Sequence, residues 1–189
     1  MATNLSNWSN FISEGNKPQK VHLVSSQVFP NPLDVQEIWK KATEAKKTDP
    51  LDIEWVVTHL FNLDIKKTDL GNTASGFLNE LDDRWCIFVN KYENKRRQRF
   101  TIAHELGHFI FHKNNKSLEK DLIFFRDETN NKEEREANDF ASELLMPEKM
   151  VKAYIKEGYN TIQLLADKFD LSTSAVRYRV YKLGLISEY

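Results

Sequence analysis

The apolar positions along the chain repeat with a few distinct periods, and each period predicts an element. Asp34–Lys47 places Val35, Ile38, Trp39 and Ala42 at helical spacing, with Asp34 as N-cap. Leu51–Phe61 repeats the pattern through Ile53, Val56, Val57, Leu60 and Phe61, with Asp49 as N-cap and Pro50 at the first helical position. Between 62 and 90 the period shortens. Leu63-Asp64-Ile65 alternates, Ser75–Leu81 reads as a short strand, and Trp85–Val89 as an apolar one. Turns at Gly71-Asn72 and Asp82-Asp83 separate them, which predicts a small, partly antiparallel sheet of three strands.

Helical spacing returns at Arg99–His112, RFTIAHELGHFIFH, an almost wholly apolar stretch that predicts a buried helix. In Lys132–Pro147 the face Glu134, Ala137, Asn138, Ala141, Leu145 follows helical spacing, and its alanines permit close packing on the first helix. Pro147 starts another helix through Met150, Val151, Tyr154 and Ile155, ending at Gly158. Thr161–Leu183 has the shape of a helix-turn-helix, with Ile162–Phe169 first, Asp170-Leu171 as the turn and Ser172 capping a second helix. Three stretches read less regularly. Residues 1–20 form an Asn- and Ser-rich arm with Trp8 and Phe11, read as a tail on its own domain or a docking segment. Val21–Phe29 is a short strand closed by Pro30-Asn31-Pro32, and Lys113–Asn131 is polar with an apolar island at Leu122–Phe125.

The buried helix carries His104-Glu105-Leu106-Gly107-His108. Residues four apart share a helix face, so His104 and His108 can hold one metal ion together. Zinc suits imidazole and carboxylate donors and leaves a position for water, whose proton Glu105 would take as general base. A two-histidine pattern alone recurs by chance, so a distant third ligand is needed. Glu134 is the first choice and Asn138, one turn on, would orient a histidine. Glu136, in phase with Phe140 and Glu143, ranks second. His112 lies about 12 Å along the axis from His104 and cannot join the same ion. A role at the helix C-terminus suits it better. His22 has no metal-type neighbour, His59 sits at a face edge, and Lys95–Arg99 reads as a solvated basic face. Tyr154 and Tyr159 are chemically able to stabilise an oxyanion, but no spacing places them.

Charge narrows the functions. A net charge of −1 gives no bulk attraction to nucleic acid or acidic lipid. The lone cysteine, Cys86, excludes an internal disulfide and suggests a reducing compartment; set in the apolar run Trp85–Val89, it reads as a core residue. No signal-like N-terminus or membrane-length apolar run is present, so a cytoplasmic location is expected.

The run RFTIAHELGHFIFH followed by EREANDFASELLMP resembles the ImmA/IrrE-type metallopeptidases, and Ile87-Phe88-Val89-Asn90 matches the strand and asparagine that precede their histidine helix. The resemblance runs from about Pro50 to the C-terminus. It implies an α+β fold: a mostly helical zincin-like domain with a small three-stranded sheet and a C-terminal helix-turn-helix-like pair. It implies one zinc per chain and cleavage of a protein substrate, a transcriptional repressor or antitoxin-like regulator of phage, mobile-element or stress-response genes. It also makes Ser75-Gly76-Phe77 the expected substrate-pairing edge, and sets the start of the peptidase domain near residue 48. The expected parts are thus 1–48, an arm and helix, and 49–189, the peptidase domain with the helix-turn-helix-like segment 160–183 inside it. The first fifty residues depart from the repressor-like DNA-binding domain that several members carry. Two other classes compete: a partner-binding protein with a structural zinc, and a DNA-binding regulator working through Arg177, Arg179 and Lys182.

Overall fold

The first helix, α1 (Val35–Glu44), starts where the Asp34 carboxylate accepts a hydrogen bond from the Glu37 N–H at 2.8 Å. It buries Ile38 and Ala42 completely, and its Trp39 indole donates to the Leu144 carbonyl at 2.8 Å. The helix before the boundary expected near residue 48 therefore shares one core with the helices and strands beyond it. The computed structural model describes residues 34–72, 74–112 and 131–187, which lie in one compact unit, Pro32–Tyr189. The expectations for the arm 1–20, for the strand Val21–Phe29 with His22, and for the island Leu122–Phe125 lie outside the described residues.

The second predicted helix differs in its start and its winding. Asp52, not Asp49, is the cap, accepting from the Trp55 N–H at 3.0 Å. The reason is the turn before it: Thr48 and Leu51 pair across a bridge, so the chain enters the helix only after Asp52. Helix α2 (Ile53–Trp55) then passes into a π-helical turn, Val56–Leu60, that still buries Val56 and Val57.

Three strands come next: β1 (Asp64–Thr68), β2 (Gly76–Leu81) and β3 (Arg84–Asn90). The order is β1-β3-β2, so β3 is central. β1 runs parallel to β3 with Asp64 opposite Cys86, and β2 runs antiparallel with Gly76 opposite Val89. The hairpin turns on Asp82 and Asp83, both left-handed, as a two-residue turn between twisted strands requires. Cys86 is buried, and burial pushes its thiol above the usual range. β3 leads into α3 (Lys95–His112), the long helix under the sheet.

Helix α4 (Asn131–Leu145) packs along α3, and the helices α5 (Glu148–Lys156), α6 (Ile162–Phe169) and α7 (Thr173–Lys182) complete the order. Ala137 and Ala141 are fully buried. A methyl group on Gly107 would lie 3.0 Å from the Ala137 α-carbon, so α3 and α4 are in close contact at the middle of the histidine motif. The fold is thus α+β, with helices gathered on a small mixed sheet. Among the described residues no helix is long and apolar enough to cross a membrane.

Two expectations for α3 change. Phe111 is half exposed, on the outer side of a last turn whose Phe109 and His112 stay buried. The basic run forms the first turns of the helix and is not simply solvated. Arg96 pairs with Asp167 at 2.8 Å and Asp170 at 3.2 Å, while Arg99 donates from Nε to the Asp170 carbonyl at 3.1 Å. These bonds fasten α3 to the α6–α7 turn, where Asp170 adopts a left-handed conformation.

Candidate metal centre

Helical periodicity brings His104 and His108 onto one side of α3, and the close α3–α4 contact brings Glu134 to meet them. The two ring Nε2 atoms are 3.0 Å apart. One Glu134 oxygen lies 3.4 Å from His104 Nε2 and the other lies 3.3 Å from His108 Nε2. Among the described residues, this is the one group of three histidine, cysteine or acidic side chains whose donor atoms converge, all within 4.8 Å. The other nitrogen of His104, Nδ1, lies 3.0 Å from Asn138 Oδ1. An amide oxygen there takes a hydrogen from Nδ1, which leaves Nε2 to serve as a metal donor or, with no ion bound, to donate to Glu134. The corresponding Nδ1 of His108 is buried without a described partner.

The electrostatics follow from burial and proximity. Burial opposes a charged His104 ring, but the Glu134 hydrogen bond, the Glu105 charge and Asn138 together outweigh it and raise its pKa. The hydrogen bonds from His104 and His108 hold the half-exposed Glu134 carboxyl far below the usual carboxylate range. Glu105 is buried, and desolvation pushes its carboxyl upward against the lowering effect of the two histidines. A carboxyl withdrawn from water holds its proton more tightly than one in solvent.

Glu136 points elsewhere: its oxygen lies 3.6 Å from the Nε2 of buried His112. His112 thus sits buried in the last turn of α3, at the helix C-terminus as its position suggested, and faces an acidic side chain of α4. Tyr154 packs edge-on against Tyr159 and Phe169 in a separate aromatic cluster.

With the geometry in view, the comparisons with known proteins decide the family. Residues 60–181 match the peptidase M78 family, described as the IrrE N-terminal-like domain. The chain belongs to that family. Among curated relatives of the M78 chain is the metallopeptidase ImmA of Bacillus subtilis (strain 168), 29% identical over 151 residues, which span 78% of this chain and 86% of that protein. Among solved structures, a Mycobacterium tuberculosis transcriptional regulator superposes with a TM-score of 0.55 at 18% identity, over 77% of this chain. The M78 chain spans 45% of that regulator's length, and the likeness is one of fold.

Other parts of the neighbourhood were invisible to spacing. Asn90 at the end of β3 donates from Nδ2 to the carbonyls of Gly71 and Ala74, and its Oδ1 accepts from Tyr92 N. Gln98 on α3 reaches back to the carbonyls of Asn90 and Glu93. The strand-end asparagine is therefore a brace for the loop that leads into β2. Gly76 has a steric reason. A methyl group there would lie 2.4 Å from the Thr101 methyl and 2.6 Å from the Phe88 carbonyl, on the side facing Glu105. The missing side chain at Gly76 thus lets β2 lie close on α3.

Proposed function

We propose that the chain is a zinc-dependent endopeptidase that hydrolyses a peptide bond in a regulatory protein, with a transcriptional repressor as the substrate class. The observation that carries this reading is the convergence of His104 Nε2, His108 Nε2 and the Glu134 carboxylate. Tetrahedral zinc with donors at about 2.0–2.1 Å has donor–donor edges of about 3.3 Å. The imidazole nitrogens stand 3.0 Å apart, near that edge, and each has a different Glu134 oxygen at 3.3–3.4 Å, so the donor set suits zinc by type and converges within 4.8 Å. When bound, zinc would supply a Lewis acid that polarises the scissile carbonyl and acidifies a water.

The residues of the chain divide the remaining work. His104, His108 and Glu134 hold the ion, one per chain, and Asn138 fixes the ring of His104. Glu105 takes a proton on its carboxylate and passes it to the leaving amine nitrogen. Leu106 and Ala103, fully buried beside it, keep bulk water from the rear of the helix. The edge strand β2 lies on α3 at Thr101 and Glu105 and is suited to pair with an extended substrate. A peptidase domain starting near residue 48 and packed in one core with the preceding helix, the reducing compartment and the cytoplasmic location belong to this proposal too.

The test combines metal content with cleavage. Elemental mass spectrometry of protein purified without chelators should find about one zinc per chain, lost in a His104→Ala/His108→Ala control. Glu105→Gln should keep the zinc and lose cleavage by roughly 10²–10⁴-fold. A folded, zinc-free wild type, or a fully active Glu105→Gln protein, sinks the proposal.

A further inference from the structure

Ser75, just before β2, takes part in a three-residue cluster that bridges the sheet and α3. Its hydroxyl donates to Glu93 Oε1 at 2.8 Å. Arg97, two turns before Glu105 on α3, donates from Nε to the same oxygen at 2.9 Å and from Nη2 to Ser75 Oγ at 2.9 Å. Glu93 Oε2 is buried with no described hydrogen-bond partner. The cluster ties the segment entering β2 to the first turn of α3. It borders an open polar cleft of about 510 Å³ lined by Asp69, Asn72, Ser75, Tyr92, Glu93 and Arg97. The next residue, Gly76, begins the edge strand and lies against Thr101 and Glu105.

We infer that Arg97 is a positioning residue for a bound polypeptide: with Glu93 and Ser75 it clamps the start of β2 to α3. An extended chain pairing with the β2 edge then meets Glu105 in one register, with a side chain in the adjoining cleft. A one-residue slip of a strand reverses every side chain it presents, so an edge that recognises a peptide must be held at a fixed height. The inference rests on the peptidase reading for the role of that edge.

The test uses the zinc-loaded full chain and a pooled library of random short peptides. One arm measures retention of peptides on immobilised Glu105→Gln protein, and the other measures cleavage by the chain with Glu105 intact. Arg97→Ala is expected to lower retention about fivefold or more, and to raise KM by a similar factor with kcat within about twofold. Arg97→Lys, which keeps the charge but loses the fork, should recover part of both. If Arg97→Ala does not fold, Ser75→Ala removes the shared hydroxyl and should give the same KM-selective loss. Unchanged retention in these variants, or a fall in kcat at constant KM, overturns the inference. So does a Glu105→Gln parent that retains no peptide. Retention by that parent without cleavage by the Glu105 chain refutes the peptidase reading alone, and the clamp is then judged on retention.

Discussion

Two helix pairs carry polar residues that the sequence marks for function, and they differ in what those residues meet. On α3 and α4, His104, His108 and Glu134 turn their donor atoms toward one another. On α7, Arg179 and Lys182 bond to the protein itself, while Arg177 is exposed. Arg179 is buried and donates to the Met146 carbonyl at 3.0 Å, and burial lowers the pKa of its guanidinium. Tyr178 and Lys182 both bond Asp139 on α4, at 2.6 and 2.9 Å. The first pair leaves a cluster of donors facing a common point; the second uses Arg179 and Lys182 to hold the domain together. The lesson is that a helix-turn-helix outline says little about DNA until the engagements of its basic side chains are known.

The comparison can be broken most easily at the first pair. Glu134→Ala should show the largest effect, with bound zinc falling to the level of the double-histidine control in elemental analysis. Retention of a full zinc equivalent would mean that the convergence is accidental. Asn138→Ala should come next, weakening zinc by roughly 10–100-fold in a chelator competition, because the His104 ring loses its partner. The second pair should answer in stability alone. Arg179→Ala leaves the Met146 carbonyl unpaired and should lower unfolding stability by about 1–3 kcal/mol in a denaturant titration, with zinc content unchanged. Lys182→Ala should be the smallest, under about 1 kcal/mol by the same titration, since its partner is half exposed and Tyr178 remains. Loss of zinc in either α7 variant, without unfolding, would erase the distinction between the two pairs.

The sequence disclosed periodicity, and with it the features that local spacing determines. The phase of Glu134, Ala137, Asn138 and Ala141 was legible because one helix face is set by local spacing. The structure places Glu134 at both imidazoles and Asn138 at His104 by that same phase. The α6–α7 boundaries were legible for a similar reason: Ser172 caps its helix by accepting from Ala175 N, a bond three residues long. The partners of Arg96, Arg97 and Arg99 were not legible. Arg96 and Arg99 find Asp167 and Asp170 more than seventy residues away, and Arg97 meets Ser75 across a loop. A run of like charges looks solvated until tertiary packing supplies its counter-charges. The π-helical turn at Val56–Leu60 also left no mark, since its apolar positions satisfy an α-helical period equally well. The cap at Asp52 was missed because two aspartates stand three residues apart, and only the intervening turn decides between them.

The bonds from Arg96 and Arg99 to the α6–α7 turn bear on how the chain can be divided. Asp170 anchors two arginines of the histidine-bearing helix, and Asp139, one residue from Asn138, is gripped from α7. The last helices are therefore no detachable module. A chain cut after Gly158 would keep every proposed ligand and lose the scaffold that orients both ligand-bearing helices. Grafting those two helices alone onto another protein would transplant the donor atoms without their alignment.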